Sequence, residues 1–173
     1  RVLWPGGGLR MPACPTIDRV AQCFCGGVEL KVQGEVYFNV LCHCKPCTRF
    51  KGVSPVHLVG VKPGITVLKG EELIKMVNDP AGSKMEFAFC TQCGSGLYQS
   101  PAGAGFRAVY PPNFRIEDGP SLQTLPDELL PQSHVNYDNR AKDFHDGLPK
   151  TAWSHDAKGE LTFQKVDDEG NPI

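Results

Sequence analysis

The sequence has no run of about 18 apolar residues, so no helix able to cross a membrane is expected. An excess of either charge is also missing: 18 Lys and Arg stand against 19 Asp and Glu, giving a net charge of −1 with both signs interspersed. Without a basic excess there is no broad face to neutralise a nucleic-acid backbone or hold an anionic membrane, and neither is expected as a partner. No Asn-x-Ser/Thr sequon occurs, and residues 1–10 place Trp4, Pro5 and three glycines where a secretory signal needs its apolar centre. These absences predict a cytoplasmic protein. Residues 1–10 read as an appended leader before a natural start at Met11, and 11–173 as a single domain. Nothing repeats at a fixed period, and the one helical hint, around 122–130, contains Pro126 and meets Pro131, which favours a single turn.

What the chain does have is alternation. Val28, Leu30 and Val32 face one way with Glu29 and Lys31 the other, and Met85, Phe87 and Phe89 repeat the pattern. Further strands are expected at 36–41, 56–59, 65–68, 73–77, 106–110 and 161–166, separated by Gly, Pro and Asn-Asp turns. The fold class read from this is mainly β and antiparallel. After Tyr110 the chain turns rich in Pro, Asp and Asn, and an irregular C-terminal segment wrapping the sheet is expected.

Cysteine is the abundant reactive residue. Cys14 stands apart upstream of three clusters: Cys23-x-Cys25, Cys42-His43-Cys44-Lys45-Pro46-Cys47 and Cys90-x-x-Cys93. In a reducing compartment such clusters serve as metal ligands or catalytic groups rather than disulfides. A short gap lets one turn aim two thiolates at one ion while its backbone N–H groups bond the sulfurs. Cys23 and Cys25 precede one strand and Cys90 and Cys93 follow another, so strand pairing can assemble a closed four-thiolate zinc site. Cys42, Cys44 and Cys47 then make a second, three-ligand zinc site, which leaves one position for water or substrate unless Cys14 or His43 closes it. A soft incoming thiolate suits such a zinc better than water does. Two other readings of the middle cluster are weaker. Cys44-Lys45-Pro46-Cys47 has the form of a thiol redox pair, but this leaves Cys42 unexplained, and the ferredoxin spacings of iron–sulfur proteins are absent.

In the order Cys23-Phe24-Cys25-Gly26-Gly27-Val28, Cys42-His43-Cys44-x-x-Cys47 and Phe89-Cys90-x-x-Cys93-Gly94-Ser95, the sequence resembles the glutathione-dependent formaldehyde-activating enzyme family, which shares its domain with centromere protein V. A fainter echo lies at His134-Val135 and Asp146-Gly147-Leu148-Pro149. The resemblance implies a β-tent zinc fold with two zinc ions per chain. The first and third motifs would hold a structural ion and the middle motif a reactive one. It also implies glutathione as co-substrate, a small-molecule thiol or thiol adduct as partner, and a carbon–sulfur lyase activity. Two features depart from the family pattern. Thr48 separates Cys47 from Arg49, and the long tail after Tyr110 suits a larger adduct than formaldehyde alone.

The expected chemistry is a thiolate adding to, or leaving from, an electrophilic carbon, with a group that moves a proton at the carbon's oxygen. His43, His57, His134 and His145 are the candidate acid–base groups, with His43 first for its place between the ligands. Arg49 is a second candidate for the catalytic site, and Arg49 and Lys51 could bind the carboxylates of a glutathione-like ligand. The competing reading is a non-catalytic zinc module that docks another protein. The sequence assigns no oligomeric state.

Overall fold

The computed structural model describes residues 15–115, 125, 129–155 and 160–173. The leader expected at 1–10, Met11, Cys14 and most of the 122–130 turn lie outside the described residues. Among those described, no helix is long and apolar enough to cross a membrane.

The alternation in the sequence becomes ten strands: β1 Thr16–Gln22, β2 Glu29–Cys42, β3 Val56–Lys69, β4 Ile74–Asn78, β5 Met85–Cys90, β6 Gly96–Pro101, β7 Arg107–Val109, β8 Ser133–Val135, β9 Lys150–His155 and β10 Leu161–Val166. The segments expected at 36–41 and 65–68 are halves of long strands, joined through Gly34 and Gly64. Both glycines have positive φ, so an extended strand can bend there without breaking. One helix, α1 Lys45–Lys51, was not expected. It has seven residues, too few for a 3.6-residue period to show in the sequence. Pro46 stands in its first turn and Gly52, in the left-handed conformation, closes it.

The residues group into two compact units, the larger from 14–39 and 57–131, the smaller including 40–56 and 132–173. In the larger unit the strand order is β1-β2-β3-β7-β6-β5-β4. The pairs β1–β2, β3–β7, β7–β6, β6–β5 and β5–β4 are antiparallel. Its core is built from Val28, just before β2, and the inward residues of these strands, including Ile17, Leu30, Val32, Val59, Val61, Ala88, Leu97 and Val109. The alternation in β5 does not run through as expected. A bulge between Ala88 and Phe89 shifts the register, leaves Phe89 half-buried and turns Cys90 fully inward.

In the smaller unit the order is β2-β8-β9-β10, and here the antiparallel expectation is corrected. Val40, Leu41 and Cys42 of β2 pair in parallel with Ser133, His134 and Val135, and β8 is parallel to β9. Only β9–β10 forms an antiparallel hairpin. The sheet is therefore mixed. The segment expected to be irregular contributes β8 and β9, which were invisible because β8 is three residues long and β9 carries Lys150, Thr151 and Ser154 among its apolar residues. Tyr137, Ala152 and Val166 form the small core of this unit, with Phe144 packed against it.

Gly70, after β3, shows how tightly the first cysteine turn is packed. Its φ is +75°, and a Cβ there would stand 2.1 Å from the Gly27 carbonyl oxygen. Backbone cannot yield as a flexible side chain can. Gly70→Ala is expected to cost about 2–3 kcal/mol, more than the left-handed conformation alone would, as measured by denaturant unfolding.

Candidate metal centres

The first centre is assembled in the larger unit by two similar turns. After β1, the Gly26 N–H donates to the Cys23 carbonyl at 3.0 Å, and Gly26 adopts φ +71°. After β5, the Gly94 N–H donates to the Cys90 carbonyl at 2.8 Å, with Gly94 at φ +74°. Each glycine lets the chain reverse so that two cysteines point the same way. The ligand atoms of Cys23, Cys25, Cys90 and Cys93 all lie within 4.8 Å of one another. The Val28 N–H donates to Cys23 Sγ at 3.2 Å. The Phe24 N–H donates to Ser95 Oγ at 3.1 Å, and that oxygen lies 3.3 Å from Cys93 Sγ, so the Ser95 hydroxyl hydrogen is available to this sulfur. Burial opposes ionisation of Cys93, but hydrogen bonds from Ser95 and Cys25 together outweigh it and bring the thiol down to about 6. Four sulfurs this close repel as thiolates unless a cation sits among them, and N–H and O–H groups already directed at them suit a thiolate–metal site.

The second centre belongs to the smaller unit. Cys42 ends β2, Cys44 caps the N-terminus of α1, and Cys47 lies on its buried side. Their sulfurs also fall within 4.8 Å of one another, Cys44 Sγ standing 3.0 Å from Cys47 Sγ. Hydrogen bonds from Cys44, Cys47 and Asn136 hold Cys42 down to about 3, as burial resists. The bond to Cys42 correspondingly pushes Cys44 up to about 12, and Cys47 rises for the same reason. A divalent ion bound by the three sulfurs would displace the protons that the raised Cys44 and Cys47 thiols hold. Among the described residues no fourth ligand joins this group, and His43 is not part of it.

His43 instead begins a buried chain. It is fully buried, and its Nε2 lies 2.8 Å from His134 Nδ1, while His134 Nε2 lies 2.7 Å from Asp146 Oδ2. Burial works against the Asp146 carboxylate, but bonds from His134 and Lys150 outweigh it and hold the group well below the usual carboxylate range. An ionised Asp146 accepts only, so His134 donates to it from Nε2; with both rings neutral, His43 then donates from Nε2 to His134 Nδ1, and His43 Nδ1 keeps a lone pair. Among the described residues that nitrogen is buried without a partner. Burial and the neighbouring His134 keep His43 neutral, lowering it to about 4. Phe144 and Tyr137 pack edge-on against the His43 ring.

The other sequence candidates are dispersed. Arg49 is exposed on α1 and Lys51 half-buried at its end, where burial lowers its amine. Two residues apart on a helix, they diverge and do not form one fork. His145 is exposed beside Asp168, 3.0 Å away. His57 belongs to the larger unit, where it donates to Asn39 Oδ1 at 2.7 Å and burial lowers it to about 4. Below its ordinary value of 6.5 the unfolded chain takes up a proton that the folded state refuses until about 4. Stability therefore falls as pH drops through that window. His57→Gln is expected to flatten this slope in unfolding midpoints measured from pH 7 to 4. The residues that sequence reasoning missed are Asn136, which touches Cys42, and Asp146 as the anchor of the histidine chain. Only the faint motif echo around residues 134 and 146 marked them.

Two cysteine clusters that could hold a metal ion, on a mainly β chain with a mixed sheet, define a protein with thiolate metal-site chemistry. The profile of the glutathione-dependent formaldehyde-activating enzyme family matches residues 18–135, and the chain belongs to this family. No curated protein matches the chain. Among solved structures, a crystal structure of a Rhodobacter sphaeroides protein, a structural-genomics target, is similar at 18% identity and a TM-score of 0.47. It covers 62% of this chain and 97% of its own.

Proposed function

We propose that the protein makes or breaks a carbon–sulfur bond in a thiol adduct, with the hydroxymethyl adduct of glutathione as the first candidate. The observation that supports this most is the second cysteine trio, three converging sulfurs with no fourth protein ligand among the described residues. In this reading Cys42, Cys44 and Cys47 would hold a zinc ion, which would supply a Lewis acid that favours the thiolate form of a substrate sulfur. Cys23, Cys25, Cys90 and Cys93 would hold a second, structural one.

His43 is the acid–base group. Its Nδ1, buried in the free protein, must open to the adduct; its lone pair then accepts the hydroxyl proton as the carbonyl forms, the C–S bond breaks and the sulfur leaves with the bonding pair. In the reverse direction the same nitrogen returns that proton. His134 and Asp146 orient His43 in the way a third group orients the base of a nucleophile–base pair. Arg49 and Lys51 contact the carboxylates of the thiol.

Exchange spectroscopy with zinc-loaded protein, glutathione and ¹³C-formaldehyde tests this. Faster interconversion of free and adduct carbon than in buffer alone is expected. Unchanged rates with this adduct and with a panel of larger glutathione hemithioacetals would contradict the reading and leave the docking-module alternative.

A further inference from the structure

Asn136 is the one non-glycine residue with positive φ among the described residues, at φ 56° and ψ 41°. Asparagine tolerates this conformation better than most residues, and its usual use at such a helix start is to cap with its side chain. Here it does not. It precedes the short 3₁₀ turn Tyr137–Asn139, yet makes no capping hydrogen bond. Its amide is committed elsewhere: Nδ2 lies 3.3 Å from Cys42 Sγ, and Oδ1 accepts from the indole Nε1–H of Trp153.

The indole fixes which way the amide faces. An indole N–H can only donate, so the amide oxygen must turn to Trp153 and the amide N–H₂ to the sulfur. Cys42 Sγ is thereby obliged to accept. Trp153 is itself held from two sides. Its ring stacks on Phe163 across the β9–β10 hairpin with centroids 4.0 Å apart, and its backbone N–H donates to Asp138 Oδ1 at 3.1 Å. The residue is nevertheless 40% exposed, so core burial does not account for its position.

We infer that Asn136 and Trp153 are a positioning pair that orients the Cys42 sulfur for metal binding and sets the affinity of the three-cysteine site. The inference rests on the reading that Cys42, Cys44 and Cys47 hold a metal ion. Hydrogen-bonding partners of this kind orient a ligand and tune the metal it holds, and their loss weakens binding by roughly 10- to 100-fold.

Two substitutions separate this from a merely structural role. Asn136→Gly keeps the left-handed backbone at no steric cost and removes both side-chain bonds. Trp153→Phe keeps an aromatic ring on Phe163 and removes only the indole N–H. Zinc affinity is measured on the full chain by chelator competition, and the thiolate-to-metal charge-transfer band is recorded after cobalt substitution. Asn136→Gly is expected to weaken the Cys42 site by roughly 10- to 100-fold and shift its cobalt band. Trp153→Phe should change both in the same direction by less, with the four-cysteine site unaffected in each. Unchanged affinity and spectrum in both variants would overturn the pair, even in a protein that turns over thiol adducts. If both shifts occur in a protein that turns over no adduct, the pair stands and the proposed reaction falls.

Discussion

Cys44→Ala is expected to reduce thiol-adduct turnover on the order of 10³-fold, corresponding to the several kcal/mol that a metal-held thiolate contributes to the transition state, while the unfolding transition stays in place. Cys44 is the member of the trio to change. Cys42 and Cys47 are buried, and truncating either would leave a cavity as well as remove a ligand. The Cys44 side chain is half-exposed and makes no capping bond to α1, so its loss spares the helix. The measurement is turnover, zinc content and denaturant unfolding on the same preparation. Full activity in a folded Cys44→Ala protein would contradict the role given to the trio.

The opposite result is expected of Cys90→Ala. Cys90 is completely buried at the end of β5, and its sulfur lies 3.9 Å from that of Cys25. Metal binding at a four-thiolate site contributes on the order of 10 kcal/mol to folding, comparable with the whole stability of a domain. Removing this ligand should abolish the cooperative unfolding transition of the larger unit, seen by circular dichroism and calorimetry, and zinc removal from the unaltered protein should do the same. A Cys90→Ala protein with an intact transition would show that packing of Val28, Leu30, Val59 and their neighbours holds the unit without metal. The contrast between the two substitutions separates a centre that does chemistry from one that holds structure.

How much of this was legible in the sequence follows from range. The cysteine spacings are local, set by turns of a few residues, and both groupings appear in the fold as the spacing implied. Alternation located most strands of the larger unit for the same reason. β8 escaped because three residues cannot show a period, and its parallel pairing with β2 joins segments about ninety residues apart, as Leu41 opposite His134 shows. α1 escaped because about two turns with Pro46 inside carry no helical signature. Sequence placed His43 first among the histidines only for its position between the ligands. His43 is singled out by the chain it forms with His134 and Asp146, and His57 is set aside by its bond to Asn39. Asn136 lies 94 residues from the sulfur it touches, so neither spacing nor composition could connect them.

The central claim is that the chain holds two metal ions in two different thiolate sites. Elemental analysis of protein purified under reducing conditions, reported as zinc per folded chain, tests it most directly. The account predicts a value near two, falling to near one in Cys44→Ala with the fold retained. A value near one in the unaltered protein, unchanged by Cys44→Ala, would mean that Cys42, Cys44 and Cys47 hold no metal and that the proposed chemistry has no centre.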